Sequence, residues 1–213
     1  MSFRIFLFPQ AQPRPDIGWL RSWASGLAEA LPGLQRLELD LVDDEALELH
    51  RTARPSLTPL PKFCAALAIW ADEAPQAAPA GFGSFTFEVR DRVGYGFEDD
   101  GPGPMRGFKK HTFWKAKSGL APEEWDALYA HHITTVPHLQ PIWRYRQNII
   151  LRKPEALPFD AISENWWATK HDLAEGFFFS DAAAAAVQKE TSQFIDLDVT
   201  ANFVGRNELI FKA

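Results

Sequence analysis

The segment LPGLQ at residues 31–35 returns as VPHLQ at residues 136–140, which is 105 residues later. The surroundings repeat as well, because an apolar run at residues 3–8 precedes the first copy and a similar run at residues 108–114 precedes the second. A period of about 100 residues is too long for a solenoid repeat and has the size of one small domain. The sequence therefore predicts two similar small domains fused in one chain.

The composition indicates a folded protein with a large core. The chain is 46% hydrophobic and 13% aromatic, with 17 Phe and 8 Trp, so disorder is not expected. Either a wide apolar cavity or an aromatic-rich core would use so many aromatic side chains. Acidic and basic residues are interspersed and the net charge is −6, which argues against a nucleic-acid partner.

The chain also lacks the usual signals for membranes and oxidising compartments. No stretch approaches the roughly 20 apolar residues that span a bilayer, and the run at residues 3–8 is too short for a signal-peptide core. Cys64 is the only cysteine and lies in an apolar run, as expected of a buried thiol in a reducing compartment. These features predict a cytoplasmic protein with no membrane partner.

Hydrophobic patterning predicts the order of helices and strands in each half. In the first half we expect strands at residues 3–8, 34–41, 63–70 and 85–97, and a helix from Asp16 to about Leu31. Residues 43–62 are predicted to be irregular, and residues 73–83 to hold at most a short helix. In the second half we expect strands at residues 108–115, 142–152, 160–168 and 199–211, and helices at residues 122–136 and 170–194.

The order βαββαβ is that of ferredoxin-like domains. An antiparallel sheet with both helices on one face needs cover on its other face, and two such sheets can cover each other. The predicted fold class is therefore α+β, with two tandem ferredoxin-like units forming a dimeric-α/β-barrel-like pseudo-dimer within one chain. The predicted units are residues 1–97 and 108–213, joined by a linker at residues 98–107. We expect an apolar cavity between the sheets, lined more by the second half.

Five segments of the second half resemble a known family. They are PEEW at 122–125, YAHH at 129–132, WRYRQN at 143–148, FDAISENW at 159–166 and ETSQFID at 190–196. In their order and spacing they resemble the EthD family of dimeric α/β-barrel proteins, over about residues 107–212. The first half matches only in outline.

The resemblance implies a class of chemistry rather than one reaction. EthD-type proteins are linked to oxidative degradation of ethers and other xenobiotics, and relatives occur in polyketide pathways. Similar barrels include cofactor-free monooxygenases, decarboxylases, cyclases and isomerases. The resemblance thus implies no cofactor and a small hydrophobic partner molecule, aromatic or polyketide-like. Because family members usually dimerise, a homodimer of this chain stays an open alternative.

One of two adjacent histidines is the candidate catalytic residue. Neighbouring residues on a helix point about 100° apart, so His131 and His132 cannot both face one site. His132 matches the family position better and is predicted to be a general base near neutral pH. The alternative is a histidine that is hydrogen-bonded at a helix end close to Pro137.

The strand at residues 142–152 has two faces that the sequence does not rank. Arg144 and Asn148 point one way and Tyr145 points the other, and only one set can meet the cavity. The predicted binding residues, taken from both faces and from neighbouring strands, are Tyr145, Asn148, Arg144, Trp114, His111 and Trp167. For Glu164 we expect half of a structural ion pair rather than a cavity acid.

Several other kinds of site have no support in the sequence. The remaining histidines are scattered without metal-ligand spacing, so we predict no metal. There is no glycine-rich phosphate loop and no G-x-S-x-G elbow. A cofactor-free enzyme, with oxidation ranked above lyase, isomerase or cyclase chemistry, is the first hypothesis. The others are a binding protein without turnover and a tightly packed structural pseudo-dimer.

Overall fold

Nine antiparallel strands form one sheet in the computed structural model, which describes residues 2–9, 16–52, 62–73, 84–97 and 101–213. The strands are β1 (Ser2–Pro9), β2 (Leu34–Leu41), β3 (Phe63–Ala71), β4 (Phe85–Tyr95), β5 (Gly103–Pro104), β6 (Phe108–Ala116), β7 (Ile142–Arg152), β8 (Ala161–Trp167) and β9 (Ile195–Lys212). The helices are α1 (Ile17–Ala30), α2 (Asp44–Thr52), α3 (Pro122–Thr135), α4 (Lys170–Ala174) and α5 (Asp181–Thr191), and a 3-10 turn covers Val136–His138.

The two halves have the same strand order and close on each other. The order is β2-β3-β1-β4 in the first half and β7-β8-β6-β9 in the second. β4 pairs with β7 and β9 pairs with β2, so the sheet closes into a barrel. The predicted fold class is confirmed: the chain is an α+β protein whose two ferredoxin-like units form a pseudo-dimeric barrel.

The main helices begin where the sequence predicts. Asp16 caps α1, because its side chain accepts a hydrogen bond of 2.9 Å from the Trp19 backbone N–H. Pro122 occupies the first turn of α3, where its missing N–H costs no hydrogen bond. Among the described residues, no helix is both long and apolar enough to cross a membrane.

Two predictions of secondary structure are wrong: one segment expected to be irregular is partly helical, and one expected helix is two helices. Residues 44–52 form helix α2, in which the Asp43 side chain caps the Ala46 N–H at 2.7 Å. Acidic residues in a first turn favour a helix N-terminus, so an acidic composition does not by itself indicate a loop. The helix predicted at residues 170–194 is two helices, because the chain leaves α4 at Gly176 and Ser180 caps a new helix. Residues 53–61 of the segment predicted to be irregular, and residues 74–83, lie outside the described residues.

Candidate functional site

The faces of β7 are settled by a contact across the barrel. Arg146 Nη2 lies 2.7 Å from Glu38 Oε2 on β2, and β2 is four strands from β7 in either direction around the barrel. Arg146 therefore points into the interior, and by strand alternation so do Arg144 and Asn148. Tyr145 points outward, where its ring meets His132 of α3 at 6.0 Å.

A network of six ionisable side chains fills part of the barrel interior. The first half provides two carboxylates and the second half provides the rest, and none is more than 1% exposed: Glu38, Asp40, Lys109, His111, Arg146 and Glu164. Lys109 Nζ lies 3.2 Å from Glu38 and 2.8 Å from Glu164. In the part of the chain that the structure describes, paired charges as well as aromatic side chains occupy the space between the sheets, so the expectation of an apolar interior there is wrong.

Glu38, Glu164 and Lys109 keep their charges in this network because opposite charges lie beside them. Burial alone would raise the pKa of Glu164, but attraction to Arg146 and Lys109 lowers it to about 2. The same two cations hold the pKa of Glu38 well below its usual range against the effect of burial. Burial would lower the pKa of Lys109, but Asp40, Glu164 and Glu38 raise it. Glu164 is thus part of a structural ion-pair network, as we expected.

Three members of this network have the arrangement of metal ligands. One donor atom each from Asp40, His111 and Glu164 lies within 4.8 Å of the other two. Lys109 Nζ, however, lies 3.0 Å from Asp40 Oδ2 and 2.8 Å from Glu164 Oε1, which are the oxygens that His111 also approaches. The ammonium group therefore holds the position that a metal cation would need, and these donors do not fit a metal.

The candidate site is a pocket on the outer face of the second-half sheet. Its volume is about 430 Å³, which is in the range of small-molecule sites. The strands β6, β7, β8 and β9 form the floor, and α3, α5 and residues 177–178 form the walls. Side chains that line it include Trp114, Tyr129, His132, Tyr145, Phe177, Phe178 and Phe194.

His132 is held in the pocket wall by a carboxylate of α5. It is only 7% exposed, and its Nδ1 lies 3.2 Å from Glu190 Oε2. The ring and the carboxylate are poorly aligned for a hydrogen bond, so Glu190 holds the ring through a close polar contact. Because Nδ1 faces Glu190, Nε2 is the nitrogen available to a molecule in the pocket.

Neighbouring groups keep the Glu190 carboxylate ionised beside His132. Its side chain accepts a hydrogen bond of 2.8 Å from the Thr135 hydroxyl on α3. Burial would raise the pKa of Glu190, but His132 and Thr135 outweigh it and the pKa lies below the usual value. Glu190 is therefore a carboxylate at neutral pH and joins α5 to α3 beside the pocket.

A cluster of hydroxyl groups lies on the pocket floor next to His132. Ser163 Oγ is 3.0 Å from Tyr129 Oη and 3.4 Å from Tyr145 Oη, and it accepts a hydrogen bond of 3.2 Å from Trp114 Nε1. Burial raises the pKa of Tyr145 to about 12 and that of Tyr129 well above its usual value. Both phenols stay protonated, so they act as hydrogen-bond donors rather than bases.

The structure separates the predicted site residues into two groups. His132, Tyr145 and Trp114 line the outer pocket. The other four predicted binding residues do not line it, because three face the barrel interior and one packs behind the pocket wall: His111, Arg144, Asn148 and Trp167. Arg144 donates to the Gly96 carbonyl at 2.7 Å, and Trp167 lies 5.0 Å from the Phe177 ring.

Sequence reasoning missed several polar residues that line the pocket or lie beside it. Ser163 and Glu190 fall within segments that carry the family resemblance, but the sequence gives neither a role. Lys110, Asn165 and Asn202 also line the pocket. Strand alternation places Lys110 on the same face of β6 as Trp114, which was the one sequence signal that could have pointed to Lys110.

Comparisons with known proteins identify the fold. No protein-family model and no curated protein matches the chain. Among solved structures the chain is similar to an anthrone oxidase-like protein, with a TM-score of 0.57 and 11% identity over 99% of this chain and 91% of that one. It is also similar to a putative monooxygenase from Fusobacterium nucleatum subsp. nucleatum ATCC 25586, with a TM-score of 0.47 and 9% identity over 99% and 92% of the two chains. At 11% identity the first likeness shows a shared barrel fold, and membership of the EthD family stays a prediction.

Proposed function

We propose that the chain is an oxidative enzyme that acts, without a cofactor, on a small aromatic or polyketide-like molecule in the outer pocket. The observation that carries this proposal is His132, which Glu190 holds at the wall of a pocket whose other walls are mainly aromatic. We rank oxidation first among the reactions considered because a structural neighbour is described as anthrone oxidase-like. The resemblance to the EthD family supports the same ranking.

The aromatic walls would bind a flat substrate above the sheet. The Trp114 ring lies 4.4 Å from that of Tyr129 and 5.7 Å from that of Phe194, and both contacts are edge-on. Such rings offer large rigid contact areas at little cost in side-chain entropy. A planar molecule in this pocket would therefore lie beside both His132 and the hydroxyl cluster.

The first chemical step is removal of a proton from carbon. His132 Nε2 would take a proton from a methylene group that lies between two aromatic rings, which conjugate it with a carbonyl and so make it acidic. Negative charge then develops on the carbonyl oxygen of the substrate. The protonated Tyr145 hydroxyl would donate a hydrogen bond to that oxygen, in a buried position where such a bond is strong.

The electrons for oxidation come from the substrate. The carbanion adds to molecular oxygen, a C–O bond forms, and the peroxide takes up the proton held by His132. Loss of water from the hydroperoxide breaks the O–O bond and leaves a ketone. The methylene carbon loses four electrons and the oxygen molecule gains four, so one O₂ gives one carbonyl oxygen and one water.

The test is oxygen consumption with anthrone as the probe substrate. We expect the full chain to consume one O₂ for each anthraquinone formed, above the uncatalysed rate. His132→Ala should lower kcat by about 10²–10⁴-fold, the usual loss when a general base is removed. Full activity in His132→Ala would contradict the proposed role.

Binding without turnover is the alternative function. The phenols of Tyr129 and Tyr145 already contact Ser163, so the polar groups could serve only to complete the pocket. An aromatic ligand would then raise the thermal midpoint of the protein while oxygen consumption stayed at background. Product formation without oxygen uptake would instead indicate an isomerase, cyclase or lyase in the same pocket.

A further inference from the structure

We infer that the pocket selects an aromatic molecule that carries a hydroxyl group, and that the carboxamides of Gln140 and Asn165 bind this group. The inference rests on the proposed function, since it takes the same pocket as the substrate site. It adds one neutral polar group to a substrate that is otherwise described only as aromatic or polyketide-like.

Two buried carboxamides line the pocket and have their polar atoms available to a ligand. Gln140 is 5% exposed and Asn165 is 7% exposed, so each side chain is more than nine-tenths buried. Within the part of the chain that the structure describes, neither carboxamide makes a hydrogen bond to the protein. A carboxamide with so little access to water has lost hydrogen bonds to solvent, and a ligand that replaces them gains affinity. These two side chains therefore point to a polar group on the molecule that fills the pocket.

Asn165 lies on the pocket floor beside the hydroxyl cluster. In the strand register it is the direct partner of Tyr145 on β7, and it is two residues from Ser163 on the same face of β8, which corresponds to about 7 Å. Trp114 is the register partner of Ala161 and donates to Ser163 Oγ at 3.2 Å. Asn165 therefore provides a polar group on the side of Ser163 that faces away from the Trp114 ring.

Gln140 is held at the pocket wall by the turn that joins α3 to β7. Its backbone N–H donates to the Val136 carbonyl at 3.0 Å, and the Val136 N–H donates to the His132 carbonyl at the end of α3. The Leu139 carbonyl accepts a hydrogen bond of 3.1 Å from the Phe179 N–H. The turn is thus attached both to the end of α3 that carries His132 and to the segment between α4 and α5.

A hydroxyl group is the polar group that fits two carboxamides. Each carboxamide has N–H donors and a carbonyl acceptor, and one hydroxyl group can accept from the first and donate to the second at the same time. A ketone could only accept, and would leave both carboxamide oxygens without a donor. An aromatic alcohol would place its hydroxyl group at Gln140 and Asn165 and extend its rings over Ser163 toward Trp114.

The test is equilibrium binding of two matched probes to the full chain at pH 7, where a phenol is neutral. β-Naphthol carries the hydroxyl group, and β-methylnaphthalene has a methyl group in its place on the same rings. We expect the wild-type protein to bind β-naphthol about 10-fold more tightly, which is the usual net effect of one or two hydrogen bonds. Equal affinity, or tighter binding of β-methylnaphthalene, would overturn the inference without any variant.

Variants then assign the preference to the two carboxamides. Gln140→Met and Asn165→Leu nearly keep the size of each side chain and remove its polar atoms. Each should lower the preference for β-naphthol several-fold, while the affinity for β-methylnaphthalene changes little. Gln35→Met is the matched control and should preserve the preference, because Gln35 is exposed and does not line the pocket. A preference that survives in either folded variant would contradict the role of that residue.

Tyr145→Phe tests the competing position for the hydroxyl group. The hydroxyl cluster around Ser163 could also bind this group, and the preference would then fall when Tyr145 loses its own hydroxyl. We expect the preference to remain in Tyr145→Phe, and its loss would overturn the assignment to Gln140 and Asn165. This comparison decides the assignment even where substitution of a carboxamide prevents folding.

The same measurements separate this inference from the proposed function. His132→Ala should retain the preference for β-naphthol, because the hydroxyl group binds to the carboxamides and not to the base, and loss of the preference would contradict this. A β-naphthol preference in a protein that does not consume oxygen with anthrone would support the hydroxyl site and contradict the oxidative enzyme. Anthrone oxidation without any β-naphthol preference would support the enzyme and overturn the hydroxyl site.

Discussion

Arg146 reaches across the barrel interior and places Nη2 2.7 Å from the carboxylate of Glu38 on the opposite strand. One residue belongs to each half of the chain, so this ion pair joins the two units at the centre of the molecule. Glu164 and Lys109 lie beside this pair, and all four side chains are almost fully buried.

Removal of Arg146 should therefore destabilise the whole barrel. Arg146→Met leaves Glu38 and Glu164 without their largest compensating charge, and we expect a loss of about 3–5 kcal/mol in the free energy of unfolding. Urea denaturation measures this loss. Arg90→Met is the matched control, because Arg90 pairs with Asp126 at the surface and should change stability by less than about 1 kcal/mol. A similar small change in Arg146→Met would show that the network does not stabilise the fold.

The same network predicts a loss of stability in acid. The pKa of Glu164 is about 2 in the folded protein and about 4.3 in an unfolded chain, so its contribution is present above pH 4.3 and is lost as the pH falls toward 2. The contribution at neutral pH is on the order of 3 kcal/mol. Denaturation of wild type and Glu164→Gln between pH 7 and pH 2 should show a stability difference that shrinks in acid. A difference that does not change with pH would contradict this assignment.

The contacts of these buried charges could not be predicted from the sequence, although the strand faces that carry them could. The alternation along β6 and β7 correctly predicts which residues share a face, and the repeat predicts how the two units pair. Whether Arg146 faces the core or solvent depends on Glu38, which is 108 residues away along the chain, so no local pattern reveals the neutralising contact. For the same reason the sequence does not reveal that charged side chains occupy part of the space between the sheets.

The outer pocket was partly predictable. His132, Tyr145 and Trp114 carry aromatic or titratable groups and could be named from the sequence. Glu190 could not be given a role, because it reaches His132 only once α5 has folded back beside α3. Its contact depends on tertiary packing.

Tyr145→Phe should reduce catalysis with little effect on binding. The variant removes a hydroxyl that would stabilise developing negative charge, and we expect kcat to fall about 10²-fold while KM changes little. Steady-state kinetics with anthrone measures both constants. Tyr95→Phe is the control, since the Tyr95 hydroxyl donates to the Ile142 carbonyl at 3.1 Å and does not line the pocket. Equal kcat for Tyr145→Phe and wild type would remove Tyr145 from the mechanism.

Glu190→Gln should weaken catalysis by misplacing His132. We expect kcat to fall about 10-fold with KM nearly unchanged, a smaller loss than removal of the base itself. Glu190→Asp keeps the charge and should restore part of the activity. Glu175→Gln is the control, because Glu175 forms an exposed pair with His171 at 3.2 Å. If Glu190→Gln lowered only the thermal midpoint and not kcat, Glu190 would be structural.

The most direct measurement for the central claim is a crystal structure of the chain with anthrone, prepared without oxygen. The account predicts a flat ligand on the outer face of the second-half sheet, between Trp114 and α5, with its methylene carbon next to His132 Nε2. A ligand bound inside the barrel beside Asn148, or against the first half, would contradict the account.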